Sequence, residues 1–439
     1  GYRRAQRTGE YPFMNSPVHT TLAALITDKA RTNPDLEILT FVTVGADGQL
    51  EGQTRTYQQL NDNGQALARG LAALGVSHGD KLALMMNNHP EFVETMVASG
   101  ILGAAFIPID PRTMGAKLSY MLDYTDCQGA VCADYALPSL LSVVSDCPRF
   151  KWLVVVNTTD DSSPIPPRTP LPVSYYSDLI ADAGEPLMPT EQDPAGTMFM
   201  MFTSGTTGNP KAVLFSHQRY MGLTLSPLAA GFITASDRYY TGLSLTHINA
   251  QGTMAGSLGQ ELPCVISVKF TKSRLWDITR HYGCTTFNLL GGMIPEIYAM
   301  PEKPDDADNP VRVVQSAGMP AHLWQKFEKR FGLALTEVYG ATEGGAMRNP
   351  PGTGPVGSIG KPLKGWVAEI LDESGTACPA NEEGEICFRR DDNGPIGVQY
   401  YKNTTASSDK VRDGWLHMGD LGHKYDNGWF YFHHRVGGG

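Results

Sequence analysis

The chain of 439 residues is longer than one ordinary hydrophobic core accommodates, which implies two or three packed units. Hydrophobic residues make up 41% and charged residues 18%, with 47 glycines and 30 prolines, a balance that excludes a disordered or fibrous chain and suits a loop-rich α/β protein. The net charge of −10 is spread along the sequence and excludes a nucleic-acid face, because binding a phosphate backbone needs clustered Lys and Arg. The seven cysteines (Cys127, Cys132, Cys147, Cys264, Cys284, Cys378, Cys387) form no Cys-x-x-Cys pair or His/Cys cluster in sequence, so neither a zinc site nor a disulfide framework is expected. The opening Gly1 to Glu10 is basic with no apolar region behind it, and the longest apolar stretch, about Ala98 to Ile109, is too short to span a bilayer. These features predict a soluble, cytoplasmic chain with reduced thiols and no membrane partner.

Along the chain, apolar residues at three-to-four spacing predict helices over Thr20–Lys29 and Leu60–Leu74. Gly79-Asp80-Lys81 turns into a predicted strand at Leu82–Met86, followed by helix at Pro90–Gly100 and strand at Ala104–Ile109. Further buried runs at Ala130–Cys132 and Trp152–Val156 complete the pattern of a mostly parallel sheet covered on both faces, ending near residue 157. The polar, proline-rich segment 158–195 reads as a surface connection, after which Thr197–Phe202 opens a second α/β run. In that run Trp276–Tyr282 and Ala321–Phe331 read as helices, and Thr285–Leu290 and Val311–Val314 as strands. From about residue 356 short strands with turns (Val367–Leu371, Glu385–Phe388, Trp429–Phe432) predict a small β-barrel.

The strand at 197–202 runs into Thr203-Ser204-Gly205-Thr206-Thr207-Gly208-Asn209-Pro210-Lys211. Glycines at 205 and 208 let a backbone aim its N–H groups at an anion, and four hydroxyls and a lysine complete a phosphate grip. The spacing does not fit the P-loop, since Lys211 follows a proline and no Ser/Thr follows it. Downstream, Glu337-Val338-Tyr339-Gly340-Ala341-Thr342-Glu343-Gly344-Gly345 supplies an aromatic, a hydroxyl and a carboxylate within five residues: a purine platform, a phosphate donor and a ligand for a hard cation. The plain structural alternative for that segment is a strand end with a helix cap. Gly414-Trp-Leu-His-Met-Gly-Asp420 places a carboxylate suited to a ribose diol.

Together these motifs resemble the signatures of adenylate-forming enzymes, namely acyl-CoA synthetases, luciferases and peptide-synthetase adenylation domains, in order and across essentially the whole chain. The resemblance implies a large N-terminal domain over 1–434, with α/β subdomains at about 1–190 and 191–355 and a barrel-like subdomain at 356–434. A hinge would begin at 435–439, and the family's small C-terminal domain, with its adenylation lysine, would lie beyond this sequence. It implies ATP-dependent conversion of a small-molecule carboxylic acid to acyl-AMP, with release of pyrophosphate and capture by coenzyme A. Adenylation for a carrier protein, a luciferase-like oxygenase and a non-catalytic acyl-adenylate binding module remain as alternatives.

By that resemblance the 203–208 loop and Lys211 hold the outer phosphates. Ser316, Ala317 and Gly318, Glu337 to Gly340 and Thr342 surround adenine and the α-phosphate. Glu343 carries Mg²⁺, and Asp420 and Arg435 reach the ribose. Met418 stands where the family has Thr. His247, Asn249, Gln251, Asn288, Gly318, Gly344 and Gly345 are assigned to the acyl pocket, and Thr203, Lys211, His247 and Glu343 to catalysis.

Overall fold

A computed structural model of the chain describes residues 19–158, 165–181, 184–188, 193–203, 209–225 and 230–436. Five of the phosphate-loop positions, Ser204 to Gly208, lie outside the described residues. The chain divides into two compact units, one of residues 1–202 and 214–269, the other of 203–213 and 270–439.

The strands of the first unit are β1 (Glu37–Val44), β2 (Leu50–Thr56), β3 (Lys81–Met85), β4 (Ala105–Pro108), β5 (Gly129–Ala133), β6 (Trp152–Val156), β7 (Val173–Tyr175), β8 (Thr197–Thr203), β10 (Tyr239–Thr241) and β11 (Cys264–Ser267). Strand β9 (Lys211–Ser216) starts in the second unit and ends in the first. A parallel sheet runs in the order β7-β6-β5-β3-β4-β8. Every residue of β4, β5 and β6 is buried, as expected of parallel strands covered on both faces.

This sheet does not end near residue 157. Strand β8 pairs with β4 at Phe199 and Phe106, whose rings stack at 5.3 Å, so the proline-rich connection leads back into the same layer. Separately, β10, β11 and β1 pair in parallel and β2 joins β1 antiparallel. The β1–β2 hairpin is missing from the sequence reading because β2 (Leu-Glu-Gly-Gln-Thr-Arg-Thr) has no buried residue and hence no apolar alternation.

Helix Tyr57–Ala73 begins with a capping box between Thr56 and Gln59. Helix Pro90–Leu102 starts on proline, ends at the left-handed Gly103, and is buried on nearly every side. No helix among the described residues is long and apolar enough to cross a membrane.

In the second unit, β12 (Thr286–Leu290), β13 (Val313–Ala317) and β14 (Ala334–Ala341) are parallel, and β15 (Gly344–Asn349) and β16 (Lys361–Pro362) continue antiparallel. Helix Ala321–Phe331 follows β13, burying Leu323, Trp324, Phe327 and Phe331. The remaining strands, β17 (Trp366–Leu371), β18 (Gly384–Arg390), β19 (Val411–Arg412), β20 (Trp415–Lys424) and β21 (Phe430–Arg435), form a curled antiparallel half-barrel. Its core contains Ile370, Ile386, Phe388, Leu416, Met418 and Phe430, which alternate with outward-facing neighbours along β17, β18 and β20. The fold class is therefore α/β with a small barrel-like sheet, as the sequence implies.

Candidate active site

Strands β13 and β14 run parallel and bring their carboxyl ends side by side, with Ser316 opposite Glu337. The Glu337 side chain is buried, and its carboxylate accepts the Ser316 hydroxyl and the backbone N–H groups of Gly318 and Met319, the last at 3.2 Å. Burial pushes its pKa up while these three donors pull it back. Glu337 thus fastens the Ser316–Met319 turn. Gly318 sits at φ +93°, and a Cβ on neighbouring Gly291 would lie 2.4 Å from the Gly318 carbonyl oxygen, so this close turn requires glycine on both sides. Asn288, on β12, is buried beside Gln315 of β13.

The Tyr339–Glu343 segment leads into neither a helix nor a cap. Strand β14 continues into β15 through a tight turn formed by Thr342 and Glu343, with Ala341 opposite Gly344. A short hairpin places the carboxylate at its tip. Gly344 and Gly345 have φ of +142° and +70°, and Cβ atoms there would meet Leu416 at 3.3 Å and the Phe388 ring at 2.6 Å. These two glycines therefore seat the hairpin on the half-barrel.

Three further strands complete the network. The Tyr339 hydroxyl donates to Asp420 Oδ2 at 2.6 Å, and Arg435, opposite Asp420 in the β20–β21 register, approaches Oδ1 at 3.9 Å. Burial raises the Tyr339 phenol, and the Asp420 charge adds to it. The Tyr339 ring lies near Phe388 and Phe432, with ring centres 6.3 and 6.5 Å away. Val338 and Gly340 flank it on β14; Gly340 is exposed. Met418 is buried in the half-barrel core, and Asp420, two residues further on, keeps its carboxylate against Tyr339 and Arg435 with methionine in place of Thr.

Tyr400 and Lys410 join these groups without having been singled out by sequence. The Tyr400 hydroxyl donates to Glu343 Oε1 at 2.7 Å, and Lys211 Nζ stands 5.4 Å from the centre of the same ring. Lys410 Nζ donates to the Met418 carbonyl at 3.2 Å. Enclosure holds its pKa below the ordinary lysine value, Glu343 and Asp420 opposing that fall and Arg435 adding to it. The one available signal is the aromatic pair Tyr400-Tyr401 after Gln399, which stands apart from any periodic pattern.

Glu343 Oε2 accepts no hydrogen bond from any described residue, so one carboxylate oxygen at the hairpin tip is not taken up by the Tyr400 bond, the donor type a hard divalent cation takes. Thr203 closes β8 partly buried, and Lys211 opens β9.

His247, Asn249 and Gln251 belong to the first unit. His247 precedes helix Ile248–Gln260 and is exposed, with Asp110 and Arg112 as its charged neighbours. The surrounding protein lowers its pKa, Asp110 opposing and Arg112 adding. Arg112 in turn holds Asp110 through Nη2 at 2.6 Å. Asn249 is half-buried in the first turn of the helix. Gln251 is fully buried, its amide donating to the Leu245 carbonyl at 2.7 Å and its oxygen accepting from Tyr220, so it ties the helix to those two residues.

Helix-covered α/β sheets, an antiparallel half-barrel and this order of motifs define an adenylate-forming enzyme. Residues 26–395 match the AMP-binding enzyme family, and the chain belongs to that family. It is 30% identical over 395 residues to the medium/long-chain-fatty-acid–CoA ligase FadD17 of Mycobacterium marinum, covering 85% of this chain and 70% of the relative. It is 29% identical over 429 residues to the sulfoacetate–CoA ligase of Cupriavidus necator, covering 95% and 79%. The fold is also that of the O-succinylbenzoate coenzyme A synthetase of Bacillus subtilis, solved in complex with AMP, with a TM-score of 0.76 at 22% identity over 94% of this chain and 78% of that one.

Proposed function

We propose that the protein activates a small-molecule carboxylic acid with ATP, forming acyl-AMP and pyrophosphate, and then transfers the acyl group to coenzyme A. The observation that carries the reading is the network of Tyr339, Asp420, Arg435, Glu343, Tyr400 and Lys211, which joins four separated motifs within one unit. The relatives' names as CoA ligases of fatty acids and of sulfoacetate support thioester formation and leave the acid unspecified.

The chemistry needs charge stabilisation more than covalent help. Attack of a carboxylate on the α-phosphorus brings two anions together, and Lys211 with the hydroxyls and N–H groups of the 203–208 loop would hold the outer phosphates of the leaving pyrophosphate. Asp420 accepts the ribose hydroxyls, with Tyr339 and Arg435 fixing its carboxylate. Ser316, Ala317 and Gly318, fastened by Glu337, and Thr342 line the adenine and α-phosphate. Glu343 would hold Mg²⁺, which when bound offsets triphosphate charge. His247, with Asn249 beside it, stands as the candidate for the acid's approach, and Asn288 as a polar contact for the acid.

ATP–pyrophosphate exchange over a panel of carboxylic acids tests the reading: at least one acid should drive exchange. Thr206→Ala combined with Lys211→Ala should weaken ATP more than AMP, since these residues are assigned to phosphates that AMP lacks. Equal loss for both nucleotides refutes that assignment, and AMP binding with no exchange for any acid favours a non-catalytic binding module.

A further inference from the structure

The face of the half-barrel sheet opposite its core gathers three side chains of different ligand chemistry, Cys387 fully buried and Glu385 and His417 partly so. Cys387 on β18 and His417 on β20 are direct cross-strand partners, and Glu385 shares their face because side chains two apart on a strand point the same way. Their inner neighbours Ile386, Phe388, Leu416 and Met418 belong to the core. Cys387 Sγ lies 3.4 Å from His417 Nδ1, and Nδ1 lies 2.7 Å from Glu385 Oε2. The three ligand atoms all fall within 4.8 Å of one another. Bonds of about 2.3 Å to sulfur and about 2.0 Å to nitrogen in a tetrahedral zinc site give a sulfur–nitrogen edge of about 3.5 Å, which the Cys387–His417 pair matches.

Nδ1 is crowded beyond what hydrogen bonding can satisfy. A third group, Arg412 Nη2, stands 2.8 Å from it and also 3.6 Å from Glu385 Oε2. A ring nitrogen carries either one proton or one lone pair, so it cannot serve a thiol, a carboxylate and a guanidinium at once. One cation bound by sulfur, nitrogen and oxygen together would satisfy all three ligands, and Arg412 occupies the neighbourhood where that positive charge belongs.

We propose that Glu385, Cys387 and His417 form a binding site for a borderline-to-soft divalent cation of the Zn²⁺ and Cd²⁺ class, with solvent as the fourth ligand. Binding displaces the Cys387 thiol proton to solvent and leaves His417 neutral with its proton on Nε2. Arg412, whose side chain is 55% exposed, swings into water as the metal arrives. Burial, with the Glu385 charge adding, pushes the Cys387 thiol up, so the thiolate forms with the metal and not before it. The Glu385 carboxylate is held for this role by its second oxygen, which accepts the Gly419 N–H at 2.8 Å.

Titration of the full chain with Co²⁺, kept reduced with a phosphine, provides the test. One equivalent should produce a sulfur-to-cobalt charge-transfer band with the intense visible bands of tetrahedral cobalt, and Cd²⁺ should compete for the site. Cys387→Ser should abolish the charge-transfer band, His417→Gln should weaken binding about tenfold or more, as loss of a metal's ligation support does, and Arg412→Ala should tighten it several-fold. Arg412 is a surface residue, so that variant reads the site without disturbing the core, and circular dichroism checks the folding of the other two. Absence of the band, its persistence in Cys387→Ser, or weaker binding in Arg412→Ala overturns the proposal.

Discussion

Replacing Glu337 by alanine strips the acceptor from three donors at once: the Ser316 hydroxyl and the N–H groups of Gly318 and Met319. The hydroxyl can turn to the Thr336 carbonyl 3.1 Å away, and Gly318 is exposed enough for water to replace the carboxylate. Met319 is 7% exposed and has neither recourse. A buried unsatisfied donor costs about 1–3 kcal/mol, and the weakened bonds of its two neighbours add to this, so Glu337→Ala should lose about 2–4 kcal/mol of stability. Glu337→Gln, which keeps one acceptor oxygen, should lose about half as much. Urea unfolding followed by tryptophan fluorescence gives the magnitude, and hydrogen exchange across residues 313–322 localises it, with protection lost at Met319. Because Ala317 and Gly318 are assigned to adenine, AMP affinity should fall in parallel. If the alanine variant is within about 0.5 kcal/mol of the parent and Met319 stays protected, Glu337 is not the fastening of this turn.

Asp420→Ala should weaken AMP and ATP alike by about 1–3 kcal/mol, the value of a charged hydrogen-bonding partner, and unaltered AMP affinity in calorimetry would remove the ribose assignment. In the first unit, burial, with the Glu94 charge adding, raises Glu91 to about 7 from its ordinary 4.5. An acid raised on folding favours the protonated native state, so its contribution is complete below about pH 4.5 and lost as pH rises through 7. Each tenfold change in proton affinity is worth about 1.4 kcal/mol and the side chain is only partly enclosed, so Glu91→Gln should be about 1–3 kcal/mol more stable than the parent near pH 8 and lack that pH slope. Thermal midpoints measured between about pH 4 and pH 8 that keep the same slope in both proteins would contradict this.

Much of the architecture is legible in the sequence because long buried runs and strong punctuation coincide. Trp152–Val156 and helix Ala321–Phe331 have the bounds their patterns indicate, the helix being set off by Pro320 and Gly332. What escaped are features decided by partners distant in the chain. The return of β8 to β4 depends on pairing across some ninety residues, and no local pattern records which sheet a buried strand joins. At the site, the motifs single out candidate residues, while tertiary packing decides which neighbours each one engages. Glu337 faces its own turn, Gln251 is spent on Tyr220 and Leu245, and Gly344 and Gly345 make room for aromatic side chains of the half-barrel. The Cys387–His417 pair is thirty residues apart in sequence, so the absence of ligand spacing there excluded nothing that a cross-strand register could bring together.

The phenol of Tyr400 sits between two opposite charges without letting them meet. Its ring lies under the Lys211 ammonium, its hydroxyl engages Glu343, and among the described residues those two side chains form no ion pair. On the proposed assignment, an aromatic spacer of this kind would keep lysine and carboxylate each available, the one for an incoming anion and the other for its counter-cation. Shortening the spacer would let the protein's own charges quench each other before any ligand arrived.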